Sequence, residues 1–396
     1  MVTWRRALIL PDHRGGWSWG EETLLGLPVV LRLLLTLSRA GVREVIFPEE
    51  AGSLRPALEN WKGRAALPQI VWRGGEALPE TSAPFPLLGV RGGVVFEKNL
   101  LHQFEKAMGD PPRRMDCFRP GDHLPVLISF ASRAEAEEAL SGWPKAYTPA
   151  DRKTAFAVPG DVFCRTAGEL AEPGRDRDLL AAVGKPTDRL HVRWVRRWTF
   201  PAMRLLIRAG ITPNQVSWAG FLAGAAGCLL IARGGYWSGV AGALILYASW
   251  ILDCMDGTLA RLTFSESPSG KKLDTILGHG TNLLVFSALI WAVYGRQSPW
   301  KTALFAFFIL GGITLAYEVS RSGNKPGPAD KEQPAGSSIQ SFLDKINHRD
   351  YAVVILLLAL VKGFEIFLWM SLVGVQVFWI TQLWLLKRRG PGKAVS

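Results

Sequence analysis

The sequence predicts two unlike parts, an N-terminal α/β domain and a C-terminal all-α integral membrane domain of six transmembrane helices. Three observations predict this. Mean hydropathy is +0.13 although 20% of residues are charged, so apolar and charged residues are segregated. Over residues 1–185 short apolar runs alternate with helical ones, and none is long enough to span a membrane. From Gln215 onward long apolar stretches dominate. The boundaries that follow are 1–185 for the α/β domain, 186–212 for an Arg-rich juxtamembrane helix and 213–390 for the membrane domain.

In the first part, Arg6–Leu10 and Val42–Phe47 read as buried strands. Leu24–Arg39 between them is apolar along its length and reads as a helix stopped by Gly41. Further strands are expected at Gln69–Trp72, Val94–Phe96, Val126–Ser129 and Ala155–Val158. Strands alternating with helices predict a parallel or mixed sheet. The opening MVTWRRALILPDHRGG has too short an apolar core for a signal peptide.

The juxtamembrane stretch holds Arg189, Arg193, Arg196, Arg197, Arg204 and Arg208 among Trp194, Trp198 and Phe200. Arginines interleaved with aromatics just before a span suit an anionic headgroup layer. The net charge of +12 would also suit nucleic acid. The spans that follow at once favour membrane lipids, and no nucleic-acid partner is expected.

Spans are read at Gln215–Ala232, Tyr236–Leu252, Leu273–Tyr294, Trp300–Tyr317, a fifth ending near Val361, and Phe364–Leu386. Six spans return the chain to its starting side. The arginine stretch, Lys271, Lys272, Arg321, Arg349 and Lys387–Arg389 then share one face, and the other keeps only Arg233, Arg296, Lys301 and Lys362. The positive-inside rule makes the richer face cytoplasmic, with the N-terminal domain on that side. A multi-pass protein of a bacterial-type inner or cell membrane is expected. Ser322–Ser338 reads as a cytoplasmic loop by composition.

Composition excludes other classes. The 16 Trp and 19 Phe rule out a disordered chain. Four cysteines, Cys117, Cys164, Cys228 and Cys254, form neither a disulfide scaffold nor a CxxC zinc pattern.

The chemistry-bearing segment is DCMDGTLAR, residues 253–261. Asp253, Asp256, Gly257, Ala260 and Arg261 recur at three- and four-residue steps, which puts all five on one helix face. Carboxylates at the end of a membrane helix are costly unless paired or metal-bound. Gly257 and Ala260 open a slot on the same face. Gly270 and Asp274 follow, one helical turn apart, at the start of the next span. Three carboxylates from two helix ends suit Mg²⁺ or Mn²⁺, and with them displacement at phosphorus. The bland alternative is helix-end salt bridges to Arg261 and Lys271.

The pattern DxxDGxxARx8GxxxD, with GITPNQVS at 210–217 upstream, resembles the CDP-alcohol phosphotransferase family of membrane enzymes. The resemblance covers roughly residues 186–390. It implies six helices, a divalent metal on Asp253, Asp256 and Asp274, and a CDP moiety held by Gly257, Ala260, Arg261 and Gly270. It implies transfer of a phosphate-linked group from a CDP-alcohol donor to an alcohol or polyol-phosphate acceptor, with release of CMP. The family pattern continues xxxD, and that last acid is its general base. Here the position is Gly278, and the neighbouring His279 is the candidate base, with a polar helix residue bonded locally as its alternative and a metal-activated acceptor that needs no strong protein base as another. Arg321 and Arg349 are the candidate acceptor contacts, with interface anchoring as their alternative. A second copy of the chain is a further possible partner.

The segment RALILPDHRGG…GLPVVLRLLLTLSRAGVREVIF resembles sugar-nucleotide and polyol-phosphate nucleotidyltransferases. That family's phosphate loop would fall at Pro11–Gly20, where Gly15, Gly16 and Gly20 lack its spacing. Its metal-binding Asp would fall near RGGVVF, where Gly92 and Gly93 stand. The first domain is therefore expected to be a degenerate nucleotidyltransferase-like domain with a binding or scaffolding role. Two alternatives stay open at this point. One is a bifunctional CTP:inositol-1-phosphate cytidylyltransferase that supplies CDP-inositol to the membrane domain, in place of a donor such as CDP-diacylglycerol made elsewhere. The other is a catalytically silent nucleotide-binding membrane protein.

Overall fold

A computed structural model of the chain describes residues 4–12, 15–61, 67–73, 86–108, 114–144, 155–160, 162–183, 190–295, 297–323 and 351–389. The chain divides into two compact units. The first is Met1–Gly210 with Thr258–Ser265, and the second is Ile211–Gly257 with Glu266–Ser396.

Among the described residues the first unit holds eleven strands. They are β1 (Arg6–Leu10), β2 (Thr23–Leu24), β3 (Leu27–Pro28), β4 (Glu44–Pro48), β5 (Gln69–Arg73), β6 (Leu87–Arg91), β7 (Val94–Phe96), β8 (Met115–Phe118), β9 (Leu127–Phe130), β10 (Ala155–Ala157) and β11 (Cys164–Thr166). Seven of them form one mixed sheet in the order β10-β8-β9-β6-β1-β4-β5. Only β9 runs against its neighbours, β6 and β8. Its helices are α1 (Val29–Arg39), α2 (Arg55–Glu59), α3 (Lys98–Met108), α4 (Arg133–Gly142), α5 (Ala167–Ala171), α6 (Leu179–Val183) and α7 (Leu190–Arg208). Leu8, Leu10, Ile46, Leu87, Ile128 and Phe130 pack with Ala136 and Ala139 of α4 into one core.

One expected helix is shorter than its apolar run. Residues 24–28 leave the helix because Leu24 and Leu27 pair across a two-residue turn, Leu25–Gly26, in which both residues have positive φ. That is the turn that matches strand twist in a tight hairpin. Pro28 then starts α1. Gly41 takes φ +97° just past the helix end. The expected strands recur within two residues of their predicted limits. The strands β6, β8 and β11, like the short β2 and β3, are not among the expected ones. All five β6 residues are buried, so this strand carries no alternation for a sequence pattern to show.

The second unit holds α8 (Pro213–Ala232), α9 (Tyr236–Leu262, whose last turn belongs to the first unit), α10 (Pro268–Tyr294), α11 (Pro299–Phe305), α12 (Gly311–Gly323), α13 (Tyr351–Leu360) and α14 (Phe364–Arg389). A π turn at Ala306–Leu310 joins α11 to α12. Among the described residues five helices are long and apolar enough to cross a membrane: Pro213–Ala232, Tyr236–Leu262, Pro268–Tyr294, Pro299–Val319 and Phe364–Trp384. The expected fifth span is represented by α13, an apolar helix of ten residues, and the polar half expected before it lies outside the described residues. Val285, Leu289, Phe305, Ile309, Ile355 and Leu368 form the buried centre. Large apolar residues such as Leu229, Trp237, Phe307 and Met370 stay exposed on these helices, which suits hydrocarbon on that side.

Glycines set how closely the first helices approach. A Cβ on Gly227 of α8 would stand 2.7 Å from the Gly242 carbonyl of α9, and one on Gly242 would stand 2.5 Å from the Gly227 carbonyl. The two backbones are in contact there, the small-residue packing that membrane helices use.

Candidate metal and nucleotide site

Asp253 and Asp256 stand on α9, and Asp274 stands on α10. One carboxylate oxygen from each lies within 4.8 Å of the others. Asp256 is 6% exposed, Asp253 is half-buried and Asp274 is exposed. The close helix packing holds them there. Ser249 of α9 donates to the Gly220 carbonyl of α8 at 2.7 Å. Above it a Cβ on Gly220 would meet Leu252 and the Asp253 amide. Ser217 of α8 donates to the Asp256 carboxylate and also to the Pro213 carbonyl.

The N-terminus of α10 is built for its place. Ser267 caps it by accepting from the Gly270 amide at 2.9 Å, and Pro268 opens the first turn. A Cβ on Gly270 would come within 3.0 Å of the Ser267 hydroxyl and 3.3 Å of the Asn214 amide oxygen. A larger residue there would have to displace one or both of these side chains. Thr212 and Gln215 form a capping box at the start of α8, which accounts for the TPNQ of the upstream motif.

Three converging hard oxygen donors fit a divalent cation such as Mg²⁺ or Mn²⁺. Such an ion can offset charge on phosphate oxygens and on a leaving group during displacement at phosphorus. The structure thus brings together all three acids expected from the spacing. It adds Ser217, whose only signal in the sequence is a hydroxyl one turn into a membrane helix.

The remaining predicted residues are placed as follows. Gly257, Ala260 and Arg261 continue along α9. The Arg261 guanidinium donates from Nε to the Val183 carbonyl at 2.9 Å. Gly278 is buried in α10. His279 stands about 140° around that helix from Asp274. Its ring stacks on Tyr317 of α12, with centroids 4.3 Å apart and planes 23° apart. Glu318 lies within electrostatic reach of His279. Three residues further along α10, Asn282 accepts a hydrogen bond from Tyr351 of α13. Arg321 belongs to α12, and Arg349 lies outside the described residues.

In the first unit, the glycine-rich turn after β1 closes on itself. Asp12 accepts from the Gly16 amide at 2.8 Å, and Gly15 takes φ +76°. Beside it the Gly92 amide donates to the Leu10 carbonyl. Trp19, 3% exposed, covers Gly92 and Gly93. A Cβ on Gly92 would stand 2.5 Å from the indole ring. The indole thus packs on the glycine turn that follows β6, near the carboxyl ends of the strands where open α/β sheets take ligands. The nearby charges pair among themselves. Arg91 binds Asp122, and Arg119 binds Asp122 and both oxygens of Glu169. Burial works against the Glu169 charge, but the Arg119 hydrogen bonds hold its carboxyl below the usual range.

Three acids from two long apolar helices form a donor set of the kind that binds a divalent cation, and with it phosphate groups. Residues 210–379 match the model of the CDP-alcohol phosphatidyltransferase family, so the chain carries a CDP-alcohol phosphotransferase domain. Solved structures of the phosphatidylinositol phosphate synthase of Mycobacterium tuberculosis are similar to part of the chain. The form with manganese and citrate is 20% identical, covering 47% of this chain and 87% of its own, with a TM-score of 0.34. The form with CDP-DAG bound is 23% identical, covering 47% and 92%, also at 0.34. The apo form is 22% identical, covering 46% and 95%, at 0.33. No curated protein matches the chain.

Proposed function

We propose that the chain transfers a substituted phosphate from a CDP-alcohol to an acceptor alcohol and releases CMP, as in the synthesis of phospholipids or polyol-phosphate lipids. The convergence of Asp253, Asp256 and Asp274 inside the matched domain carries this reading. These three acids hold the metal, and Gly257, Ala260, Arg261 and Gly270 hold the CDP moiety. The acceptor oxygen bonds to the phosphorus that bears the donor alcohol, and the bond from that phosphorus to CMP breaks. The acceptor hydroxyl must lose its proton in the process. With Gly278 where the family places an acid, His279 takes this proton through a water, held in place by its stack on Tyr317. Arg321 and Arg349 serve the acceptor side, where a phosphorylated acceptor needs fixed donors.

The chain crosses the membrane six times, with α13 forming the end of the fifth span. The N-terminal domain faces the cytoplasm, where the basic loops gather. That domain has a nucleotidyltransferase-like fold, and the indole on Gly92 and Gly93 favours a scaffolding role over transfer from CTP. A second reading, a silent nucleotide-binding protein, rests on Gly278 alone.

Purified protein in lipid nanodiscs, given Mg²⁺, a panel of CDP-alcohols and candidate acceptors, should release CMP. Binding of CDP without CMP release from any pair in the panel, in the parent and in Gly278→Asp alike, would sink the transferase reading in favour of the silent binder.

A further inference from the structure

The last turn of α9 ends in an unfavourable way for a reason that lies in the N-terminal domain. The Ser265 amide donates to the Ala260 carbonyl, and the Phe264 amide donates to that of Arg261. This is the helix-ending motif whose left-handed residue is usually glycine. Here that residue is Phe264, at φ +55°. A bulky residue in this region is strained, so something else must hold it there.

What holds it belongs to the same compact unit, since Thr258–Ser265 group with residues 1–210. The Phe264 ring packs on the apolar face of α1 and its approach, formed by Leu27, Leu31 and Leu35. Arg32 and Arg39 lie over the ring at 5.7 and 4.4 Å from its centroid. Arg32 is 3% exposed. Its guanidinium donates to the Leu24 carbonyl and, at 2.9 Å, to the Leu262 carbonyl. Leu262 is the last residue of α9, and its carbonyl has no partner within the helix ladder. A buried cation there satisfies that oxygen and opposes the negative end of the helix dipole. Burial lowers the Arg32 pKa only to about 10, so its charge persists at neutral pH. One residue back, Arg261 Nε donates to the Val183 carbonyl at the end of α6.

We infer that the N-terminal domain is a clamp that positions Arg261 and the end of the motif helix for the nucleotide. Arg32 and Phe264 are the positioning residues. The inference rests on the reading above that Arg261 contacts the CDP moiety. It assigns the domain a role that needs no chemistry of its own, and it explains why a phenylalanine sits where glycine would be easier.

The test uses full-length protein in nanodiscs, with Mn²⁺ and CDP as probes. Phe264→Gly gives the backbone the residue it prefers, so a mere helix cap would be left as stable or better. A clamp would be lost, and CDP affinity should fall about tenfold, as should that of Arg32→Met, about the worth of a hydrogen bond to a charged group. Both variants should lose hydrogen-exchange protection at residues 259–265 while β1 and β4 stay protected. In an Arg261→Ala background, Arg32→Met should change CDP affinity less than about twofold, because the two act through one contact. Parent-like CDP affinity and parent-like protection in Phe264→Gly would overturn the clamp. So would equal, additive losses from Arg32→Met with and without Arg261. If Arg32→Met fails to fold, Phe264→Gly decides alone. If the parent binds no CDP, the transferase reading falls, and exchange at 259–265 still judges the clamp.

Discussion

Replacing Asp256 with Asn should make the metal-free protein more stable while abolishing its response to metal. The carboxylate is 6% exposed, and its ligand oxygen lies within 4.8 Å of that of Asp253. At an effective dielectric of about 20, two unit charges at that distance repel by roughly 3.5 kcal/mol. Exposed Asp274 adds a further repulsion that solvent screens. Asn keeps an oxygen that can accept from Ser217, so the contact to α8 survives. Relief of even half the repulsion should raise the apparent melting temperature of the metal-free variant by about 2 °C. Metal acts in the opposite sense. At about 100 times its dissociation constant, Mn²⁺ should add roughly 2.7 kcal/mol to the parent and nothing comparable to the variant. Tryptophan-fluorescence melts in detergent, with EDTA or with Mn²⁺, report both effects. An Asp256→Asn protein that melted lower than the parent in EDTA, or that gained as much from Mn²⁺, would refute the assigned metal site.

Three further outcomes are expected. Gly278→Asp should raise turnover, whereas His279→Ala should lower it roughly 10²- to 10⁴-fold with CDP affinity unchanged, and a histidine base predicts a parent rate that falls on acidification as the imidazole takes up a proton; pH–rate profiles of the parent and both variants check this. Trp194 and Trp198 of α7 are 61% and 68% exposed with rings 5.4 Å apart, so a spin label at position 198 should sit at headgroup depth in anionic nanodiscs, and an accessibility equal to that of a label at Gly121 would count against it. Cysteine labelling should place Gly390 on the same side as the N-terminal domain; opposite sides would mean an odd number of spans.

Much of this molecule is written locally. Helix ends and spans follow from apolar runs bounded by Pro213, Pro268 and Pro299, because a helix start depends on a few neighbouring residues. The acidic cluster is equally local in origin. The steps from Asp253 to Arg261 and from Gly270 to Asp274 put the right groups on one face of each helix, whatever surrounds them. The sequence by itself therefore determined the two-part architecture, the acids and the family resemblance.

Tertiary structure decided what depends on partners distant in the chain. The burial of β6 between β1 and β9 removes the alternation that would have marked it. Ser217 gains its meaning only when α8 comes to lie beside Asp256. Trp19 comes from far along the chain to cover the glycine turn at Gly92. Phe264 looks like an ordinary loop residue until its left-handed backbone and the α1 arginines are seen together. In each case the deciding energy comes from packing or hydrogen bonding between segments far apart in the chain, which no local periodicity records.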